Sequence, residues 1–248
     1  MKTLAIYNIK GGVGKTASAV NLAYLAARDG FRVLVWDLDP QGASSYYFRI
    51  KPKLKGGSQK LICGDNELDN AIKGTDYANL DLLPADFSFR NADLMLDGEK
   101  KPLRVLRKRL KPLAQHYDFV FLDCPPGITL LSESVFSAAD ALISPIIPTP
   151  LSVRTLEQLQ KFIHKNGLSK LQLMAFFSMV DRRKKLHLQI MQSLSNQFSE
   201  VLESTIPYAS DIERMGLERA ALASYAAKSR SAKAYEALWE EILANLRV

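Results

Sequence analysis

Short apolar, β-branched-rich runs recur along the chain at 3–9, 31–38, 80–84, 118–123, 141–147, 171–180 and 204–207. Runs this apolar predict strands buried on both faces, the habit of a parallel sheet. Helix-length segments separate them, around 17–28, 103–115, 130–138, 153–164 and 186–198. The alternation predicts an α/β fold, a mainly parallel twisted sheet flanked by helices. No internal repeat or linker-like stretch divides the chain, so a single domain over 1–248 is expected. Segment 49–74, with Lys51, Lys53, Lys55, Gly56, Gly57 and Lys60, reads as an irregular basic insertion. The last segment carries Tyr235, Leu238, Trp239, Ile242, Leu243 and Leu246, one apolar stripe at helical spacing. Its opposite face holds Glu236, Glu240 and Glu241. That favours docking on the domain's own core over lying on an anionic bilayer.

Composition narrows the class. Of 248 residues, 47% are hydrophobic and 24% charged, which excludes disorder and low complexity. No apolar run approaches the roughly 18 residues of a membrane span. The first apolar stretch is cut off by Lys10-Gly11-Gly12 and has no small-residue cleavage site, so no signal peptide is expected. Cys63 and Cys124 are too few for a disulfide framework or a four-ligand zinc site. A cytoplasmic location follows as the expectation. The excess of 33 basic over 26 acidic side chains, +7, favours anionic partners: nucleotide, nucleic acid or lipid headgroups.

The strongest chemical signal is Ile9-Lys10-Gly11-Gly12-Val13-Gly14-Lys15-Thr16, between a predicted strand and a predicted helix. Gly14-Lys15-Thr16 fits the phosphate-loop pattern, with Ile9 at the usual first glycine. The glycines let successive backbone N–H groups turn toward phosphate oxygens, and the helix N-terminus adds partial positive charge. Lys15 is expected to reach the β- and γ-phosphates of ATP, and Thr16 to ligate Mg²⁺. A second motif, Asp37-Leu38-Asp39-Pro40-Gln41-Gly42, ends the second strand; a third, Asp123-Cys124-Pro125-Pro126-Gly127, ends another. Carboxylates at the carboxyl edge of an open α/β sheet lie where such folds bind ligand.

The extra Lys10 before Gly-Gly, with these three motifs in order, resembles the ParA/MinD family of deviant Walker A ATPases, from Lys2 to about Leu246. The resemblance implies a P-loop NTPase fold and a slow, partner-stimulated ATPase that pairs as a homodimer around ATP. It makes Lys10 a charge supplied in trans, and Asp39 the residue orienting the attacking water. Asp37 and Asp123 then join Thr16 in the Mg²⁺ shell. Adenine is expected near Pro207. Lys10, Gly11, Gly12, Val13, Gly14, Lys15, Thr16 and Ala17 form the phosphate-binding run, although Ala17 lacks the hydroxyl the family usually places there. The chain opens directly on its first strand, so no N-terminal DNA-reading extension is expected.

For the positive charge, the resemblance implies nonspecific nucleoid DNA held by basic residues of the C-terminal part. The candidates are Arg182, Arg183, Lys184, Lys185, Arg214, Arg219, Lys228 and Arg230. A cargo-bound partner protein that stimulates hydrolysis is implied as well, the cargo being a plasmid, a chromosome locus or a protein assembly. The text 212–219 departs from usual partition ATPases and points toward protein assemblies. The competing readings are a MinD-like membrane-surface ATPase, disfavoured by the acidic terminal helix, and a metabolic ATP-dependent synthetase. An iron–sulfur reductase would need two suitably placed cysteines, which Cys63 and Cys124 do not offer.

Overall fold

The computed structural model describes residues 1–64 and 68–246. Eight strands form one sheet: β1 (Lys2–Ile6), β2 (Val33–Asp37), β3 (Lys73–Gly74), β4 (Leu80–Leu83), β5 (Phe119–Asp123), β6 (Ala141–Ile146), β7 (Gln172–Val180) and β8 (Val201–Pro207). Their order is β3-β4-β2-β5-β1-β6-β7-β8. Among the described residues only the β3–β4 pair is antiparallel. β1, β2 and β5 are almost wholly buried, as the continuous apolar runs require.

Helices α1 (Lys15–Arg28), α2 (Ala43–Tyr47), α3 (Gly57–Ile62), α4 (Ala92–Asp97), α5 (Val105–Leu110) and α6 (Leu130–Ala138) lie in the first part of the chain. α7 (Pro150–Lys165), α8 (Lys185–Gln197), α9 (Ser210–Glu218), α10 (Leu222–Tyr225) and α11 (Arg230–Asn245) follow. Side chains of α3 to α8 share one core cluster with one face of the sheet, and those of α1 and α9 to α11 share another with the opposite face. Tyr235, Leu238, Trp239 and Ile242 of α11 are buried against α1 and the strands. Its acidic face is used internally: Glu236 pairs with Arg28, and the Glu241 carboxylate accepts the backbone N–H groups of Glu203 and Ser204 at 2.7 and 2.9 Å.

Three expectations are corrected. The helix expected over 103–115 is broken into a 3₁₀ turn (Pro102–Arg104), α5, and a second 3₁₀ stretch (Lys111–Gln115). Pro112 lacks an N–H and clashes with the preceding turn, so the α-helix stops before it. The strand expected over 3–9 ends at Ile6, because Asn8 and Lys10 already turn into the loop. Segment 49–74 is not a loose insertion. It holds α3, a 3₁₀ turn (Leu68–Asn70) and β3, and buries Leu54, Leu61, Ile62 and Leu68 in the core; residues 65–67 of it lie outside the described residues.

Candidate active site

The three motifs converge at the carboxyl edge of the central strands because β1, β2 and β5 are parallel neighbours. In register, Asp123 of β5 stands opposite Ile6 of β1 on one side and Asp37 of β2 on the other. Gly12 and Gly14 take left-handed φ of 70° and 92°, and Gly14 caps α1. A side chain at Gly14 would put its Cβ 2.9 Å from Ser178 Oγ. Strain and crowding therefore both select glycine there.

Lys15 is buried, and its ammonium donates to the Lys10 carbonyl at 2.9 Å. Burial lowers its pKa, while the nearby Asp123, Cys124 and Asp39 pull it back up. Burial also lowers that of Lys10. Gly11 and Gly12 meet nothing around their Cβ positions, so the backbone of this turn is open. Asn8 holds the loop's shoulder: its side chain accepts from Lys10 N at 2.8 Å and donates to Pro145 O at 2.8 Å.

Asp123 is wholly buried. Its Oδ2 accepts from Ser44 Oγ at 2.7 Å, and the Thr16 hydroxyl lies close enough to favour the ionised carboxylate. Burial is the main cause pushing its pKa up, against those hydrogen bonds. Among the described residues its Oδ1 has no hydrogen-bond partner. An unpartnered, fully buried carboxylate oxygen beside a threonine hydroxyl suits a hard cation. Among the described residues no cluster of three or more His, Cys, Asp or Glu can hold a metal. The Thr16 hydroxyl and the Asp123 carboxylate are hard oxygen donors that fit Mg²⁺, which is commonly held by one or two carboxylates together with phosphates and water.

Asp37, also wholly buried, has Oδ2 committed to Ser45 N and Ser45 Oγ, both at 2.8 Å. Burial first, then the Asp123 charge, raises its pKa. Asp37 thus fastens the start of α2. Asp39 is half-buried and accepts from Gln41 N at 2.9 Å, with its charge close enough to act on both Lys15 and Asp123. The loops that follow β1 and β5 are also cross-tied. Tyr7 donates its hydroxyl to Gly127 O at 2.8 Å, and Gly127 N donates to Ile9 O at 3.0 Å. Tyr7, Asn8, Ser44 and Ser45 are site residues that the motifs did not reveal.

A cleft of about 190 Å³ lies beside the loop, lined by Gly14, Ala17, Ser178, Met179, Pro207 and Tyr208 among others. Met179 bends β7 there with a left-handed φ of 54°. The predicted basic residues are dispersed. Arg182, Arg183 and Lys184 follow β7, and Lys185 opens α8. Arg183 pairs with Asp181, whose pKa falls to about 2, and Arg214 pairs with Glu218. Arg219 donates to Tyr46 O at 3.0 Å and lies 4.5 Å over the Tyr46 ring. Lys228 and Arg230 are exposed at the start of α11.

Against known proteins, residues 1–175 match the family model described as an AAA domain. The chain is 30% identical to the sporulation initiation inhibitor protein Soj of Bacillus subtilis, over 98% of this chain and 99% of that one. It is also 30% identical to the chromosome-partitioning ATPase Soj of Treponema pallidum, over 98% of each. Among solved structures, cobyrinic acid a,c-diamide synthase from Mycobacterium smegmatis with bound ADP and magnesium superposes with a TM-score of 0.83 at 27% identity, covering 98% of this chain and 94% of that one. With the loop, the two carboxylate-ended strands and 30% identity to the Soj proteins over nearly the whole of each chain in agreement, the chain belongs to the ParA/Soj family of P-loop ATPases.

Proposed function

We propose that this ATPase is a nucleotide-driven switch: it binds Mg·ATP, pairs with a second copy around it, holds nonspecific DNA, and is released when a cargo-bound partner protein stimulates hydrolysis. The observation that carries the reading is the meeting of Lys15, Thr16 and Asp39 about the buried Asp123 carboxylate, with the Lys15 ammonium bonded to the Lys10 carbonyl. Magnesium, when bound, neutralises charge developing on the phosphates. Thr16 and Asp123 would hold it.

The residues divide the work. The open backbone of Gly11 to Gly14 offers N–H donors to phosphate oxygens, and Lys15 supplies a buried cation whose site excludes water. Asp39, the more exposed carboxylate, positions water for attack. Lys10 provides the second cation from the paired copy, as an arginine finger does in other nucleotide hydrolases. The cleft between Ala17, Met179, Pro207 and Tyr208 suits an adenine base. Partition activity in the Treponema relative supports the cargo role, and a nucleoid location follows from DNA binding.

The test is ATP-dependent retention of an unrelated DNA duplex, together with a monomer-to-dimer shift on a non-hydrolysable analogue. Loss of both in Lys15→Ala and Lys10→Ala is expected, with loss of DNA retention at high salt. The likeness to a diamide synthase supports a second reading, in which the γ-phosphate activates a small carboxylate. Phosphate release from ATP alone, unchanged by candidate acids, counts against that reading.

A further inference from the structure

The chain's net positive charge resides in twelve residues. Residues 100–111 carry seven Lys and Arg and no Asp or Glu, leaving 26 of each sign in the remainder. Lys100 and Lys101 precede the 3₁₀ turn at Pro102–Arg104, and Arg104, Arg107, Lys108 and Lys111 follow at i, i+3, i+4, i+7 along α5 and its ends. All six are exposed. Among the described residues none of the six enters an ion pair. Arg109 is different: it is part-buried and donates to Gly64 O at 2.9 Å.

Like charges at i, i+4, Arg104 with Lys108 and Arg107 with Lys111, destabilise a helix, while Arg107 and Lys108 in its last turn suit the dipole. A face that keeps the like-charge penalty has a use for a concentrated positive field. Its shape narrows the occupant. Val105, Leu106 and Leu110 are buried, so the apolar side of α5 is already spent on the core. The exposed side offers no apolar residue to enter a bilayer, and Leu103, 40% exposed, belongs to the preceding turn. What remains is a row of cations about 10 Å long. Duplex DNA presents a backbone charge about every 1.7 Å of its axis and needs no insertion.

We infer that the α5 face, with Lys100, Lys101, Arg104, Arg107, Lys108 and Lys111, is the main contact of this ATPase with the phosphate backbone of duplex DNA. The inference rests on the DNA-binding reading above and moves its centre away from Arg182 to Lys185. Arg183 and Arg214 are held in ion pairs and Arg219 on Tyr46; Arg182, Lys184 and Lys185 are exposed and, among the described residues, unpaired too, but they are three cations where the α5 face gathers six.

The test compares full-length wild type, an Arg104→Gln/Arg107→Gln/Lys108→Gln/Lys111→Gln variant, and an Arg182→Gln/Lys184→Gln/Lys185→Gln variant. Each is loaded with a non-hydrolysable ATP analogue and titrated with a duplex of unrelated sequence across salt. Glutamine keeps helix propensity, and none of the four positions touches the nucleotide site, so basal hydrolysis is expected unchanged. The α5 variant should bind about 10³-fold more weakly at 0.1 M salt, with a salt slope smaller by about 3 to 4. The Arg182 to Lys185 variant should stay near wild type. Should the α5 variant fail to fold, Lys100→Gln/Lys101→Gln, outside the helix, should reduce the slope by about 2. Wild-type slope in the α5 variant, with loss in the other, overturns the inference and leaves the DNA reading standing. Failure of wild type to bind duplex in any nucleotide state removes both. Capture of wild type on phosphatidylglycerol vesicles but not on duplex, lost in the α5 variant, gives the face to a membrane and overturns the inference as well.

Discussion

Ser44 donates its hydroxyl to Asp123 Oδ2 at 2.7 Å, tying the helix after the second strand to the buried carboxylate at the end of the fifth. This bond satisfies one oxygen of a carboxylate that has no contact with solvent, and it counters the upward push of burial on the Asp123 pKa. Ser44→Ala removes a hydrogen bond to a buried charged group, worth about 1.5–3 kcal/mol. Urea unfolding without nucleotide should show that loss. An unchanged midpoint would mean that Ser44 holds nothing there.

The two loop lysines should separate kinetically. Lys15 is buried with its ammonium turned inside the loop, whereas Lys10 is half-buried and reaches outward in the proposed pair. Lys15→Ala is expected to abolish nucleotide binding and turnover together. Lys10→Ala should leave nucleotide affinity within a few-fold while turnover falls by about 10³, the scale of losing an arginine finger. Calorimetric titration with ATP analogue and a phosphate-release assay measure the two. Equal loss of affinity in both variants would remove the role in trans.

Ala17 faces the cleft shared by Pro207 and Tyr208, one residue beyond Thr16. A hydroxyl there would add one hydrogen bond toward a phosphate. Ala17→Ser is therefore expected to tighten ATP by about 1 kcal/mol, or about fivefold. A weaker or unchanged Kd would show that the pocket does not bring the phosphate near this position.

Sequence reached those parts of the site in which one residue type answers one physical demand. Gly14 sits at a left-handed φ beside Ser178, Lys15 must be a buried cation, and Asp123 ends a strand of uninterrupted apolar residues. The supporting shell was silent because its demands are loose: Ser44 and Ser45 are ordinary small polar residues until folding buries them against Asp123 and Asp37. The same logic separates the elements. Long, two-sided apolar strands such as β2 and β5 were legible, but β3 spans two exposed residues, Lys73 and Gly74, with no pattern to see. The spacing merges α5 with its neighbours because Leu113 continues the apolar series past Pro112, and periodicity carries no memory of a missing N–H.

Arg219 illustrates a cation whose composition suggests one role and whose geometry suggests another. It ends α9 in a left-handed conformation, φ 48°, with its guanidinium over the Tyr46 ring and its Nε bonded to Tyr46 O. Tyr46 in turn donates to Gly216 O at 3.1 Å. Arg219→Gln should therefore cost stability, about 0.5–1 kcal/mol for the stacking alone. The salt slope of DNA binding should stay at its wild-type value. A reduced slope with unchanged stability would return Arg219 to the DNA contact.

Asp118 supplies a pH test away from the nucleotide site. Its carboxylate accepts from Arg32 Nε at 3.1 Å, Arg32 Nη2 at 2.8 Å and Arg32 N at 2.9 Å, joining the starts of β2 and β5. The Arg32 guanidinium holds its pKa down to about 2. In the unfolded chain an aspartate titrates near about 3.9. Between those values the unfolded state binds more protons, so stability rises with pH across that window. The contribution is complete above the unfolded value and is lost as pH falls through the folded one. Both side chains are more than a third exposed, so solvent screening keeps the pair's contribution small. Asp118→Asn should lower the urea midpoint slightly at pH 7, and the gap to wild type should close progressively as pH falls below about 4. A gap that persists undiminished to the acid limit of the folded state would show that the charge on Asp118 adds nothing to its hydrogen bonds.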